Sequence, residues 1–294
     1  MLKPASKQDR PVWAEDDTAW RLGPGEFDQI RQLARRASGL DLKAGKEEMV
    51  AARLRRLLRD GRFRSYREYH RHVLEDNTGQ ALAAMIDALA TNHTAFLREP
   101  AHFDFFREHV IPSLATRQKA EVWCAACSTG EETWTLAFLL NDKLSAGQIS
   151  ITASDISNKA LRAARLAEYA ADRCAGLPAA WVKRYLVGKG TPPLSFCVSP
   201  EIRRQVTFQR ANLLEAAPWQ KRFPAIFCRN VMIYFDQATQ DRAVANLSES
   251  LEAGGYLFVG HAESLTRVAH GLEYVKPAIY RKPGKREGKW TISW

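Results

Sequence analysis

The residues with the clearest chemical purpose lie in a turn and a carboxylate about 25 positions apart. The stretch Glu121 to Glu132, EVWCAACSTGEE, runs from a β-prone segment through small side chains into a helical pattern that starts at Glu131. Such a strand, turn and helix start lets a ligand approach the backbone, and the unpaired N–H groups of the first helical turn can receive an anionic or polar group. The apolar run Ile149 to Ser154 then ends in Asp155, where the second strand of a βαβ unit commonly presents a carboxylate to a ribose diol. The turn lacks the GxGxxG spacing that brings a pyrophosphate against the backbone. A nucleoside cofactor with a ribose and no phosphate fits better, and S-adenosylmethionine is the common one.

These residues need a sheet to hold them. After residue 120, strands are predicted at 122–125, 149–154, 206–209, 225–229 and 256–260, with a closing pair over 274–281. Helices are predicted at about 131–144, 158–169 and 238–251, and the alternation implies a largely parallel sheet. The segment 181–204, with Gly188, Gly190, Pro192 and Pro193 between β-prone runs, is read as a small antiparallel insertion. In such sheets ligands bind at the strands' carboxyl ends, which here carry Ser128, Glu131, Asp155, Asn212, Arg229, Asn230 and His261. Asn212 could pair with an adenine edge, and Arg229–Phe235 follows the central strand, where the reacting atoms are expected.

Residues 1–22 have no periodicity and are expected to form a mobile tail. Residues 23–91 read as a helical domain, with helices at about 25–38, 46–60, 65–74 and 78–90. The polar stretch 92–100 reads as a linker contributing to the active site, and 101–294 as the α/β domain, opening with a helix over 101–114. The basic segment from Lys282 to Trp290 is expected to be flexible.

The chain of 294 residues carries a net charge of +10. Between Met49 and Leu74, eight arginines face two acids, so more than half of that charge sits in one segment. In the second helix Val50, Leu54, Leu57 and Leu58 share one side, and Arg55, Arg56 and Arg59 the other, with Arg53 at the margin. A merely solvated helix would mix signs, so this face points to an acidic partner. No aromatics interleave with these arginines to stack bases, which argues against nucleic acid. No apolar run approaches the roughly 20 residues that span a bilayer, so a cytoplasmic protein, not membrane-inserted, is expected. Cys124 and Cys127 form a CxxC without a second pair or a histidine pair at zinc-ligand spacing, and no metal site is expected. They read as small residues chosen for close backbone approach.

Five segments together, TNHTAFLRE, CAACSTGEE, TASDIS, RNVMIYFD and GYLFVGHAES, resemble the CheR family of chemotaxis receptor methyltransferases over about residues 26–281. The resemblance implies a class I methyltransferase domain (Rossmann-like, mostly parallel sheet) with a small antiparallel β insertion, behind an N-terminal all-helical domain. It implies methyl transfer from S-adenosylmethionine, leaving S-adenosylhomocysteine, to glutamates on the cytoplasmic helical bundle of chemoreceptors, by a monomeric enzyme. By the same resemblance the cofactor is held by Asn92, Thr94, Arg98, Glu131, Asp155, Asn212 and Leu213, with Arg229, Asn230 and Tyr234 at the reacting end and Arg98 and Tyr234 as the catalytic pair. The family's receptor-docking helix maps onto Arg53, Arg55, Arg56 and Arg59. His93 fills a position where other side chains are common. The insertion around 187–197 is shorter and less basic than in members that grip a C-terminal pentapeptide, so independence of that tether is expected. The alternatives are a methyltransferase acting on another acidic protein or on nucleic acid, and a non-catalytic scaffold that binds S-adenosylmethionine.

Overall fold

The computed structural model describes residues 20–266, 268 and 270–284. The chain divides into two compact units, the first ending at Thr91 and the second beginning at Asn92.

The first unit is helical: α1 (Pro24–Ser38), α2 (Glu47–Asp60), α3 (Tyr66–Glu75) and α4 (Gln80–Leu89). Each presents an apolar stripe to a shared core built from Ile30, Val50, Leu54, Leu58, Tyr66, Met85 and Leu89, all at or near zero exposure. The expected tail is shorter than 22 residues. Trp20 is buried and its Nε1 donates to the Phe63 carbonyl at 3.1 Å, because an indole buries a large apolar area once its N–H finds an acceptor. Residues 1–19 and 285–294, which hold the rest of both expected tails, lie outside the described residues. Lys282 is tied down, its Nζ donating to the carbonyls of Ser248 and Leu251 at 2.5 and 3.0 Å.

The second unit opens with helix α5 (Pro100–Phe105), passes through one π-helical stretch at Phe106–Val110 and continues as α6 (Ile111–Ala115). The sequence predicts one regular helix here. Pro112 supplies no N–H and its ring would collide with the carbonyl four residues back, and the wider π register lies in that preceding turn.

Seven strands follow in the order β6-β2-β1-β7-β8-β10-β9: β1 (Ala120–Ala125), β2 (Ile149–Asp155), β6 (Val206–Arg210), β7 (Phe223–Cys228), β8 (Leu251–Phe258), β9 (Glu273–Lys276) and β10 (Ile279–Arg281). The first five are parallel to their neighbours, and β10 runs antiparallel to both β8 and β9. Every residue of β7 is buried, the pattern of a strand covered on both faces, while Phe103, Phe106 and Phe138 pack on one side and Leu247 and Val244 of α10 (Gln237–Ser250) on the other. The chain crosses from β1 to β2 on one side and from β7 to β8 on the other, so the crevice at the carboxyl ends of β1 and β7 is the switch point.

The antiparallel insertion is larger than expected. A three-stranded sheet of β3 (Glu168–Ala170), β5 (Ser195–Val198) and β4 (Leu186–Lys189) begins inside the segment read as helix. Helix α8 (Asn158–Leu166) stops when Ala167 turns left-handed, at φ +55°, and Tyr169 reaches the core from a strand. The run from Trp181, read as β-prone, forms α9 (Ala179–Tyr185). One turn apart, Trp181 Nε1 and Tyr185 Oη both donate to Asp142, at 2.8 and 2.7 Å, which the helical spacing makes possible.

Candidate active site

The turn after β1 is shaped by its neighbours. Ala126 and Ser128 adopt φ of +60° and +50°, and Gly130, at +100°, leads into α7 (Glu131–Asn141). A Cβ on Gly130 would meet Tyr169 Oη at 2.9 Å and Trp134 Nε1 at 3.0 Å, so only glycine fits. Tyr169 Oη closes the turn by donating to the Thr129 carbonyl at 2.7 Å. Cys124 and Cys127 are fully buried within it, and burial pushes both thiols well above the usual range, as expected of small packing residues rather than reactive thiolates.

Asp155 is buried at the tip of β2, its Oδ2 accepting from Ser128 N and its Oδ1 from Ser157 N, both at 2.8 Å. The turn and the second strand end are thus locked together. Ser128 Oγ donates to the Asn92 carbonyl at 3.1 Å, Leu97 N to Thr135 Oγ1 at 3.3 Å and Arg173 Nη2 to the Thr94 carbonyl at 3.2 Å. The segment from Asn92 to Glu99 therefore lies along α7 and the turn as part of the second unit. Arg98, half-buried, folds back to donate to the His93 carbonyl at 3.0 Å.

Glu131 is wholly buried, accepts from Thr129 Oγ1 at 2.7 Å and pairs with Arg173; burial raises its carboxyl above the usual range. Glu132 follows it. With Asp155, three carboxylates border the turn, an arrangement hostile to a phosphate and suited to a cofactor of net positive charge, with a sulfonium and an ammonium against a single carboxylate. On the β6 side, Asn212 Oδ1 accepts from Leu214 N at 3.1 Å and its Nδ2 donates to Glu215 at 3.1 Å. Leu213 is half-buried beside it, its carbonyl held by Asn246. After β7, Tyr234 sits half-buried on a single 3₁₀ turn, Met232–Tyr234.

Arg229 differs from the sequence expectation. Its side chain is 1% exposed and lies within the fold, Nη1 on Glu132 at 2.6 Å and Nη2 on Glu99 at 3.0 Å and on the Arg98 carbonyl at 2.5 Å. Only its backbone remains for a cofactor, because both terminal nitrogens of the guanidinium are taken up by Glu132, Glu99 and the Arg98 carbonyl. Asn230, at φ +57°, points its Nδ2 at Glu99 Oε1, 3.1 Å away. Burial works against the Glu99 charge, but the Asn230 and Arg229 hydrogen bonds and the Arg229 charge outweigh it, holding the carboxyl down at about 2.

Glu99, His102 and Glu263 were not singled out by the sequence, although each lies in or beside a quoted segment. Glu263 is buried and accepts from Gly260 N, Asn230 N and Met232 N at 2.6, 2.8 and 2.6 Å and from Ile233 N at 3.3 Å. That carboxylate shapes the whole turn after β7. A Cβ on Gly260 would stand 2.5 Å from Asn230 Nδ2, so glycine is required there too. Glu99, His102 and His261 bring one possible ligand atom each within 4.8 Å of one another. Glu99 Oε2 already accepts N–H groups from Arg229 and His261, at 3.0 and 3.2 Å, and a fixed guanidinium stands where a cation would be drawn. The carboxylate of the trio is thus committed to its ion pair with Arg229.

His102 is 1% exposed, packed edge-on to Phe258 and His261, and burial together with the nearby Arg229 and His261 charges lowers it to about 4. As pH falls from about 6.5 to 4, the unfolded chain takes up a proton that folded His102 refuses, so stability is lost across that window. The loss is about 2 kcal/mol by pH 5. His102→Gln should flatten the fall in melting temperature between pH 7 and 5 by several degrees; an unchanged slope would count against this role.

On α2, Arg56 and Arg59 are exposed and Arg55 half-buried, while Arg53 is used internally, donating to the Leu89 carbonyl at 2.5 Å and Thr91 Oγ1 at 3.1 Å. Arg53 thus fastens α2 to the end of α4 and is the least available of the four expected docking arginines. Among the described residues, no helix is long and apolar enough to cross a membrane.

Comparison with known proteins agrees with this architecture. Residues 92–280 match the family described as CheR methyltransferase, SAM binding domain, and residues 25–90 match CheR methyltransferase, all-alpha domain. The chain is 35% identical over 272 residues to a chemotaxis protein methyltransferase of Borreliella burgdorferi, covering 87% of this chain and 94% of that one. It is 36% identical to chemotaxis protein methyltransferase 2 of Pseudomonas aeruginosa (87% and 92% covered) and 38% identical to the Klebsiella aerogenes chemotaxis protein methyltransferase (88% and 90%). A locked strand-end carboxylate, an acidic turn without phosphate-binding glycines and matches over both units lead to one conclusion: the chain belongs to the CheR methyltransferase family, and its second unit is an S-adenosylmethionine-binding methyltransferase domain.

Proposed function

We propose that the protein esterifies glutamate side chains on the cytoplasmic helical bundle of chemoreceptors. The observation that carries this reading is Arg98, a half-exposed guanidinium at the carboxyl end of the sheet, held by one hydrogen bond to the His93 carbonyl and able to offer its remaining donors to an incoming carboxylate. The nearby acids Glu99, Glu132 and Glu263 are committed to Arg229 or to backbone N–H groups. None is placed to serve as a general base, which an ammonium acceptor would need. A glutamate, with an ordinary pKa of about 4.3, is already ionised at neutral pH and needs none. Bound S-adenosylmethionine supplies an electrophilic methyl group on sulfur. The protein's part is to hold the acceptor oxygen in line with that methyl group and to exclude water.

In this reading Asn92, Thr94, Ser128, Glu131, Asp155, Asn212 and Leu213 line the cofactor, together with the backbone of Arg229 and Asn230. Arg98 orients the acceptor, and Tyr234 borders the transferred methyl group. The exposed arginines of α2 draw in the acidic receptor. The names of the curated relatives, all chemotaxis methyltransferases, support the partner. The test is incubation with labelled donor and receptor cytoplasmic fragments. Base-labile label is the expected product; alkali-stable label would indicate an amine acceptor, and no label a binding module. The small sheet β3-β5-β4 is read as dispensable for tethering: calorimetry with a receptor C-terminal pentapeptide should show no binding at micromolar concentration, and tight binding would refute this.

A further inference from the structure

Arg98 and the turn carrying Tyr234 come from segments more than 130 residues apart, yet a single carboxylate connects them. Glu99 Oε2 accepts from Arg229 Nη2 at 3.0 Å and from the backbone N–H of His261 at 3.2 Å, and its Oε1 accepts from Asn230 Nδ2 at 3.1 Å. Arg229 Nη2 also reaches the Arg98 carbonyl at 2.5 Å. Residues 98 and 99 therefore grip one guanidinium nitrogen between a main-chain oxygen and a carboxylate oxygen, and the peptide that bears the Arg98 side chain is fixed to the end of β7. The His261 contact adds the end of β8. Leu97 and Glu99 hold left-handed backbones, at φ +55° and +57°, and Asn230 does the same at +57°. Such conformations in non-glycine residues cost free energy and persist only where surrounding contacts impose them.

Resting on the reading of this site as one of methyl transfer, we infer that Glu99 is a positioning residue for the reaction: it holds Arg98 and the Asn230–Tyr234 turn in one rigid frame without itself touching donor or acceptor. Three features single it out. Its two oxygens face donors from two different strand ends, a task no neutral side chain in this position can perform alone. The carboxyl is held ionised, so the frame persists through the physiological pH range. Glu263 performs the matching task on the main chain, accepting from the backbone N–H groups of Asn230 and Met232, so side chain and backbone of the same turn are each held by a carboxylate. In-line transfer depends on sub-ångström alignment of three atoms, and loss of such a frame is felt in the chemical step before it is felt in binding.

The test compares Glu99→Gln, Asn230→Gly and the double variant with the wild type. Glycine accepts the positive φ of residue 230, so that substitution removes the amide without straining the turn. Turnover is read as total label transferred to a receptor fragment whatever its alkali stability, so failure of the ester assignment leaves the comparison intact. Glu99→Gln is expected to lower kcat by 10- to 100-fold, with KM for the fragment and the dissociation constant for S-adenosylhomocysteine within about threefold of wild type. In the Asn230→Gly background the Glu99→Gln loss should shrink severalfold, because the two act through one contact. Thermal melting fixes an assay temperature at which every variant is folded, and Glu99→Ala, which removes both oxygens, should lose at least as much as Glu99→Gln. A kcat for Glu99→Gln within twofold of wild type, a loss confined to KM, or losses that multiply fully in the double variant would overturn the inference.

Discussion

Replacing Arg229 by methionine is expected to cost the second unit about 3–5 kcal/mol. The guanidinium is 1% exposed and lies between Glu99 and Glu132, at 3.0 and 2.6 Å. Removing it leaves two largely buried carboxylates facing one another without a cation, and the penalty comes from that uncompensated charge rather than from the hydrogen bonds themselves. Against a total stability of about 5–15 kcal/mol for a domain of ordinary size, the loss brings the unit close to unfolding at 37 °C. Urea denaturation followed by tryptophan fluorescence measures it directly. The triple variant Glu99→Gln, Arg229→Met, Glu132→Gln should recover most of the lost stability, because it removes the charges together. Its methyl transfer should stay low, since the frame around Arg98 is gone. A single Arg229→Met variant that unfolds at the wild-type urea midpoint would show that these ion pairs carry no net weight.

Reversing Arg55, Arg56 and Arg59 to glutamate should reduce methylation of receptor fragments by more than 100-fold while leaving cofactor affinity unchanged. The three substitutions change the charge of one helix face by six, converting attraction for an acidic partner into repulsion over the several ångströms within which screening is incomplete. Arg53 is left alone in this design, because its contacts with Leu89 and Thr91 support the helical unit and its loss would confuse docking with folding. Initial rates with labelled donor report the first quantity and calorimetry with S-adenosylhomocysteine the second. Wild-type transfer should weaken steeply with salt and the variant's residual rate much less. Equal loss of transfer and cofactor binding would assign the basic face a structural role instead.

Positive backbone angles recur around the candidate site, though not only there, since Arg62, Ala167 and Ala278 share them. Leu97, Glu99, Ala126, Ser128 and Asn230 all have φ between +50° and +60°, in the linker, in the turn after β1 and in the turn after β7. None is a glycine, and only Asn230 is of a type that favours the left-handed region. They are imposed by contacts made across long sequence separations, of which Asp155 on Ser128 and Glu263 on Asn230 are the clearest.

The sequence by itself determined the alternation of strands and helices, the all-helical first unit, the one-signed face of α2 and the class of cofactor, because these follow from local periodicity, turn chemistry and short motifs. It misplaced the start of the antiparallel insertion, since Tyr169 is buried equally well as the last residue of a helix or the middle of a strand, and only its pairing with Phe196 decides. It read the Trp181 run as β-prone because aromatic and branched residues favour strands, while Asp142, distant in sequence, rewards the helical spacing of Trp181 and Tyr185. Above all, it placed Arg229 at the reacting end without showing which way the side chain turns. Orientation depends on where Glu99 and Glu132 arrive in space, and a buried guanidinium goes to the carboxylates that compensate its desolvation. Tertiary structure alone therefore showed that the carboxylates Glu99 and Glu263 are spent on Arg229 and on the turn after β7.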